Sequence, residues 1–182
     1  MGTRAIIKAL KNNEIVGIPT DTIFGLFVKV GKDNGPRLNQ IKGRDLKQPV
    51  QIMFPSIEQA FKASEISDFT KSILQAELPG KKCFIVQSDK NFRYKNLLDY
   101  EAMAIRVPSK YENKKLIKIL TAVGPCFATS ANKHQEPILT NWKLVKKTFN
   151  IETLRGKSSS LTHSTIIKLL NDEVEIIRKG EQ

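Results

Sequence analysis

The chain lacks most features that would mark a secreted, membrane-bound or metal-stapled protein. Its 182 residues include only two cysteines, Cys83 and Cys126. They lie far apart, with no second Cys or His at ligand spacing, which argues against a disulfide scaffold and a structural zinc site and makes a cytosolic compartment the default. No apolar run approaches the roughly 20 residues needed to span a bilayer. The start, Met1-Gly2-Thr3-Arg4-Ala5-Ile6-Ile7-Lys8, turns basic and amphipathic at once and has no secretory apolar core or cleavage site. Ile6 stands where a myristoylation signal needs Ser or Thr. With His134 and His163 as the only histidines, a Ser-His-Asp hydrolase is poorly supported. There is no Gly-x-Gly-x-x-Gly fingerprint and no His-Glu-x-x-His motif, and the glycines of Gly31–Arg37 lack the Gly-Lys-Ser/Thr ending of a Walker A loop. ATP, if it binds, binds without a P-loop. Aromatic residues make up 7% of the chain and sit mostly in apolar runs, so a row of exposed rings for stacking bases is missing.

What is present is a globular composition and an excess of positive charge. Lys and Arg number 30 against 18 Asp and Glu, a formal charge of +12 that favours anionic partners such as nucleotides, RNA or phosphates. The cations are scattered, with only short pairs such as Lys81-Lys82 and Lys146-Lys147, so most of them read as solvated surface. The length suits one domain with a substantial core, here residues 1–182, and no C-terminal extension domain is expected.

Helical and strand patterns alternate along the chain. Arg4–Asn12 carries Ala5, Ile6, Ala9 and Leu10 at helical spacing. Strands are predicted at Glu14–Ile18 and Gly25–Val30, a turn at Gly31–Gly35, and a helix from Pro36 to Ile41. Pro49–Phe54 is β-type. Ser56 is a candidate N-cap for a helix to Ala63, and a further helix covers Ser67–Glu77 before Pro79-Gly80. Cys83–Gln87 and Ala102–Val107 read as buried strands. The pattern gives a helix over Asn113–Val123, with Leu116, Ile117, Ile119, Leu120 and Val123 inward, a strand over Cys126–Thr129 and a helix over Trp142–Phe149. A hairpin of Ser164–Leu169 and Val174–Ile177 turns around Asn171-Asp172. Ser88–Tyr100 is the least patterned stretch, and Gly156–Ser160 is a small Ser-rich loop. The whole reads as a single α/β domain with a mixed sheet.

Six places could carry chemistry. In Gly17–Leu26 an apolar strand stops at Pro19 and gives way to Thr20, Asp21 and Thr22 before Ile23, Phe24 and Gly25. Polar groups between buried segments need partners, and ligand groups often sit at the end of a buried strand, so this stretch reads as a pocket wall. Lys42-Gly43-Arg44 could converge on phosphate, although in isolation its composition favours a solvated basic turn. Arg106 closes an apolar strand and needs either a structural carboxylate or a ligand anion, alternatives of equal weight from the residues alone. Ala128-Thr129-Ser130-Ala131-Asn132 offers small donors to a ligand, or forms an ordinary turn. Ser164-Thr165 and Arg178 are unremarkable singly.

Taken in order, Pro-Thr-Asp-Thr-x-Phe-Gly-Leu, Lys-x-Arg, Ala-Ile-Arg-Val-Pro, Thr-Ser-Ala-Asn, Ser-Thr-Ile-Ile and Ile-Arg-Lys-Gly resemble the YrdC/TsaC family over about residues 4–180. The resemblance implies a twisted open α/β sheet around a deep basic cavity. It also implies synthesis of threonylcarbamoyl-AMP and pyrophosphate from L-threonine, bicarbonate and ATP, with Mg2+ accompanying the triphosphate. The product would pass to a threonylcarbamoyl transferase complex for modification of tRNA. Position by position, Lys42, Arg44, Ser130, Asn132 and Arg178 are implied on the nucleotide side, with Lys42 and Arg44 catalytic. Thr22, Arg106 and Ser164 are implied on the threonine side, with Arg106 pairing the amino-acid carboxylate. No protein-bound metal is implied. YciO-type paralogues share the first motif but usually lack the intact Ser-Ala-Asn found at 130–132.

The chain departs from the family pattern at several points. Pro79-Gly80-Lys81-Lys82-Cys83 replaces Pro-Gly-Pro-x-Thr, Ala102 stands where many relatives have a hydroxyl, Met53 where some have His, and Lys133-His134-Gln135 replaces Leu-Ser-Gly. Two other readings compete with the synthase: a non-catalytic RNA-binding module using the same basic cavity, and a carbamoyl-transfer domain with another acceptor, as in hydrogenase-maturation proteins.

Overall fold

Short apolar strands set between amphipathic helices build one mixed sheet. The computed structural model describes residues 1–93, 101–109, 111, 113–158, 160 and 162–180. Among them the helices are α1 (Thr3–Lys11), α2 (Asn34–Lys42), α3 (Ile57–Lys62), α4 (Asp68–Glu77), α5 (Lys114–Val123) and α6 (Trp142–Phe149). The strands are β1 (Val16–Pro19), β2 (Phe24–Lys29), β3 (Gln51–Met53), β4 (Cys83–Gln87), β5 (Ala102–Arg106), β6 (Cys126–Ser130), β7 (Glu152–Thr153), β8 (Ile166–Leu170) and β9 (Glu173–Arg178). The sheet order is β7-β1-β2-β6-β3-β5-β4-β8-β9. β1–β7, β3–β5 and β4–β8 are parallel and the other neighbours antiparallel. This is the open α/β sheet expected from the sequence. No helix among the described residues is long and apolar enough to cross a membrane.

Alternation along the strands gives the sheet two unlike faces. Leu26, Val28, Ile52, Phe84, Ile105 and Phe127 point to one side, where Leu38 of α2, Ala60 of α3, Leu74 of α4 and Val145 and Phe149 of α6 cover them. Each fully buried side chain of this kind contributes about 1.5–3 kcal/mol. Val16, Ile18, Phe27, Met53, Cys126 and Ala128 point to the other side, against Ile6 and Leu10 of α1 and Leu116, Ile119 and Leu120 of α5. These two helices serve the β1–β2–β6 part of the sheet. Beyond them β4, β5 and β8 turn Cys83, Ile85, Ala104, Arg106 and Ile166 toward a cavity on that side.

Several elements differ from expectation. Helix α2 begins at Asn34, two residues before Pro36, because Asp33 takes a left-handed conformation (φ 62°) and turns the chain early. It runs on through Lys42 and ends at Gly43, whose φ of 72° suits glycine. β6 extends to Ser130, which pairs with Gly25. Ile117 is only half-buried. β7 was not anticipated: two residues paired in parallel with Val16 and Gly17 carry no periodicity to find. Ser56 does cap α3, accepting from the Gln59 amide at 3.3 Å. The last hairpin turns at Asn171 and Asp172, with φ of 54° and 59°, the left-handed pair that a two-residue hairpin demands. Its outer strand β9 is exposed throughout, pairs only with β8 among the described residues, and carries a register shift between Ile166 and Ile167. Of the unpatterned stretch, residues 94–100 lie outside the described residues, as does residue 159 of the Ser-rich loop.

One side chain ties this scaffold to the turn after β1. Asn113 caps α5 by accepting from the Leu116 amide at 3.1 Å and donates through Nδ2 to the Pro19 carbonyl at 2.8 Å. Asn113→Ala should lower stability by about 1–2 kcal/mol. A urea midpoint shift at unchanged slope would report it, and no shift would remove Asn113 as the link.

Candidate active site

The turn between β1 and β2 is where buried polar groups concentrate. Thr20, Asp21 and Thr22 are all buried, Asp21 completely. Their hydrogen bonds form a directed chain. Thr20 Oγ1 donates to the Ile23 carbonyl at 2.7 Å and accepts from the Thr22 amide at 3.1 Å. Its proton being used, the 3.0 Å contact between the two threonine hydroxyls has Thr22 as donor. Thr22 therefore has no proton left for a ligand and faces the cavity as an acceptor.

Arg106, the last residue of β5, meets this turn. Its Nη2 donates to Asp21 Oδ1 at 2.5 Å, its Nη1 to Thr22 Oγ1 and Ser164 Oγ at 3.0 Å each, and its Nε to the Gly80 carbonyl at 3.2 Å. The Arg106 and Asp21 side chains are 3% and 0% exposed. Of the two partners open to Arg106 on sequence grounds, a structural carboxylate is present. The pair is neutral as a unit, so Arg106 holds Thr22 and Ser164 in place with its charge already balanced. Asp21 Oδ2 is buried with no hydrogen-bond partner among the described residues.

A second cluster lies where β6 ends. Lys42 closes α2 and sends Nζ to the Ser130 carbonyl at 2.5 Å, the Asn132 carbonyl at 2.6 Å and Asn132 Oδ1 at 2.9 Å. Ser130 Oγ donates to Asn132 Oδ1 at 2.6 Å, and Asn132 Nδ2 to the Glu136 carbonyl at 2.7 Å. Burial and the like charge of Arg44 push the Lys42 ammonium down to about 7. Three short contacts to oxygen acceptors oppose that shift, because they use all three ammonium protons. Arg44 is oriented by its Nε, which donates to Asn39 Oδ1 at 2.5 Å.

Between the two clusters lies a cavity of about 330 Å³. Thr22, Arg44, Arg106, Ser130, Ser164 and Arg178 line it, together with His163 and Cys83. Arg178, on β9, donates to the Ser164 carbonyl through Nη2 at 2.9 Å and Nε at 3.3 Å. Among the described residues that line it there is no Asp or Glu. The wall is thus cationic and hydroxyl-rich, suited to an anion with an uncharged polar portion. Burial pushes the Cys83 thiol up to about 12, so it offers no thiolate at neutral pH. Among the described residues no three His, Cys, Asp or Glu side chains cluster to hold a metal ion. Among the described residues that line the cavity no carboxylate is present to hold a resident Mg2+ ion.

Six of the eight side chains singled out from the sequence therefore share one cavity. Lys42 and Asn132 stand behind its wall and hold Ser130. The sequence reading missed two residues as site members. Asp21 was legible only as an oxygen-rich neighbour of Thr22, and finding its role needed the 85-residue separation from Arg106 to close. His163 was set aside with the hydrolase motif it failed to match, although it directly precedes Ser164.

An open α/β sheet with a cationic, hydroxyl-lined cavity beside its strand ends is the kind of site that suits a small anion or a nucleotide. The particular family follows from comparison with known proteins. The Sua5/YciO/YrdC domain model, described as "Telomere recombination", matches residues 8–180, and the chain belongs to this family. It is 26% identical over 152 residues to a threonylcarbamoyl-AMP synthase of Psychromonas ingrahamii, covering 81% of this chain and 78% of that one. Its fold matches P. abyssi Sua5 complexed with L-threonine at a TM-score of 0.85 and 21% identity, covering 98% of this chain and 54% of that one. It matches E. coli YciO at 0.83 and 20%, covering 98% and 90%. The chain thus spans about half the length of the P. abyssi protein. At these identities the two structures establish the fold, the same for both branches.

The ion pair gives a direct test of the site's architecture. Asp21→Asn leaves a buried cation without its counter-charge and should cost about 3–5 kcal/mol in urea unfolding, as should Arg106→Met. The double variant should be less destabilised than the sum by about 2 kcal/mol or more. Strict additivity would mean that the two charges do not depend on each other.

Proposed function

We propose that the protein is a threonylcarbamoyl-AMP synthase, acting on L-threonine, bicarbonate and ATP and releasing pyrophosphate. The observation that carries this reading is one cavity lined both by arginines, Arg44 and Arg178, and by hydroxyls, Ser130 on the segment that Lys42 holds and Thr22 and Ser164 on Arg106. Adenylyl transfer needs fixed positive charge on the departing pyrophosphate more than it needs a covalent nucleophile. Arg44 and Arg178 would supply that charge, and Lys42 would act through the Ser130–Asn132 segment that it fixes. The catalytic pair is Lys42 and Arg44, the first as a positioning group.

For the amino acid, Thr22 can only accept, which suits the amino group of threonine. Ser164 receives from Arg106 and keeps its own proton for the substrate's carboxylate or hydroxyl. Holding the amine against bicarbonate in attack geometry, away from bulk water, then favours carbamate formation. The carbamate oxygen attacks the α-phosphorus and pyrophosphate leaves. Magnesium would arrive on the nucleotide's own phosphates. The adenylate would be consumed in the cytoplasm by a transferase complex acting on tRNA, and residues 1–182 would suffice for the synthesis.

Purified protein should release pyrophosphate only when ATP, threonine and bicarbonate are all present. Threonine-independent turnover, or folded protein with none, would reject the reading; RNA binding indifferent to ATP and threonine would then favour a non-catalytic module. Thr22→Val should raise the threonine KM by about tenfold, the cost of one unmade hydrogen bond at a buried partner, and leave the ATP KM unchanged. Arg44→Ala should do the reverse.

A further inference from the structure

His163 occupies a place that the preceding chemistry leaves without a role. It lines the cavity directly before Ser164 and is neither fully buried nor exposed. The two residues that follow it are held by neighbouring segments. Arg178 of β9 holds the Ser164 carbonyl, and the Gly180 amide donates to Thr165 Oγ1 at 2.9 Å. From β5, Arg106 holds Ser164 Oγ. A Cβ at position 180 would come 2.2 Å from the His163 carbonyl oxygen, so the chain just beyond β9 passes directly against this segment. The imidazole is therefore carried on a fixed stretch of chain. Thr22 Oγ1 and Ser164 Oγ lie 3.0 Å from the same Arg106 Nη1 atom, so the acceptor suited to a substrate amine and the residue next to His163 are neighbours.

The ionisable groups around the imidazole are cationic or inert. The charges of Arg178 on β9 and, from behind the wall, Lys42 on α2 act on it, and Arg106 of β5 lines the same cavity. Arg44 lines the same cavity from the loop after α2, as does the protonated Cys83 thiol of β4. Burial, Arg178 and Lys42 all lower the proton affinity of His163. Such surroundings favour the neutral ring, whose second nitrogen carries a lone pair. Among the described lining residues it is the one side chain that can take up a proton near neutrality: the arginines cannot, the thiol is already protonated, and no carboxylate is present.

We infer that His163 is the proton acceptor that converts the bound substrate's ammonium into the attacking amine. The inference rests on the synthase reading above. The imidazole takes one proton from R–NH3+, giving R–NH2 and imidazolium. The amine nitrogen forms a bond to the bicarbonate carbon, a C–O bond breaks, and carbamate and water result. The proton on His163 passes to solvent through the exposed part of the ring. The negative charge of bound nucleotide phosphates offsets the surrounding arginines while the imidazolium exists.

The test is a pH–rate profile of kcat/KM for threonine, measured by pyrophosphate release, for the wild type, His163→Gln and His163→Ala. The wild type should show an acid limb. His163→Gln should fall on the order of 100-fold at pH 7 and recover as pH rises and free amine accumulates. Its ATP KM should stay within about twofold, and added imidazole should partly rescue His163→Ala. NMR titration of the wild-type ring with ATP and threonine bound should show a neutral imidazole at pH 7, a readout that stands even where the variants fail to fold. An unchanged pH profile, an effect confined to ATP KM, or an imidazolium at pH 7 in that complex would overturn the inference while the synthase reading stood. A wild type without threonine-dependent pyrophosphate release would overturn both.

Discussion

A single buried ion pair organises this protein. Arg106 and Asp21 meet across the sheet with almost no exposure, and each would be prohibitively costly without the other. Desolvating two charges yields little net stability, and a well-packed apolar pair could replace them at no loss. What the pair supplies is orientation. The guanidinium has a rigid fork of donors, and once Asp21 fixes Nη2, Nη1 is aimed at Thr22 and Ser164. Two hydroxyls from opposite ends of the chain are thereby set side by side at the wall of the cavity.

The opposite wall is built on the same principle with a different cation. Lys42 comes from a helix terminus and gathers the carbonyls where β6 ends, so the Ser130–Asn132 segment keeps its shape around an ammonium. In both clusters a buried cation is satisfied by the protein itself and serves to hold small polar groups. Arg44 and Arg178, closer to solvent, carry the positive charge that a substrate would meet.

Local patterns that report on backbone conformation were readable in the sequence. The Asn171-Asp172 turn, the Ser56 cap and the apolar runs of β4, β5 and β6 each depend on neighbouring residues, and each emerged near its expected place. β7 has two residues and takes its structure from β1, so nothing local announces it. The early start of α2 depends on one left-handed residue, Asp33. At the site, residue types were legible but pairings were not. Arg106 needed a partner, and the sequence left two kinds open; only the fold brings Asp21 to it. For Lys42-Gly43-Arg44 the residues alone favoured a solvated basic turn, and the nucleotide-side role came from the family resemblance. The fold sets the two cations differently: Lys42 reaches the Ser130–Asn132 segment and Arg44 lines the cavity.

The outer strand of the last hairpin has a further consequence. β9 leaves Val174, Ile176 and Ile177 about half exposed on a strand whose far side is unpaired among the described residues. An apolar edge of this kind is a template for uncontrolled growth by other chains. Glu173 and Glu175 interrupt the apolar residues with like charges, and the register shift near Ile166 bends the strand so that it presents no long flat ladder. The strand that brings Arg178 to the cavity thus also carries the features that resist aggregation.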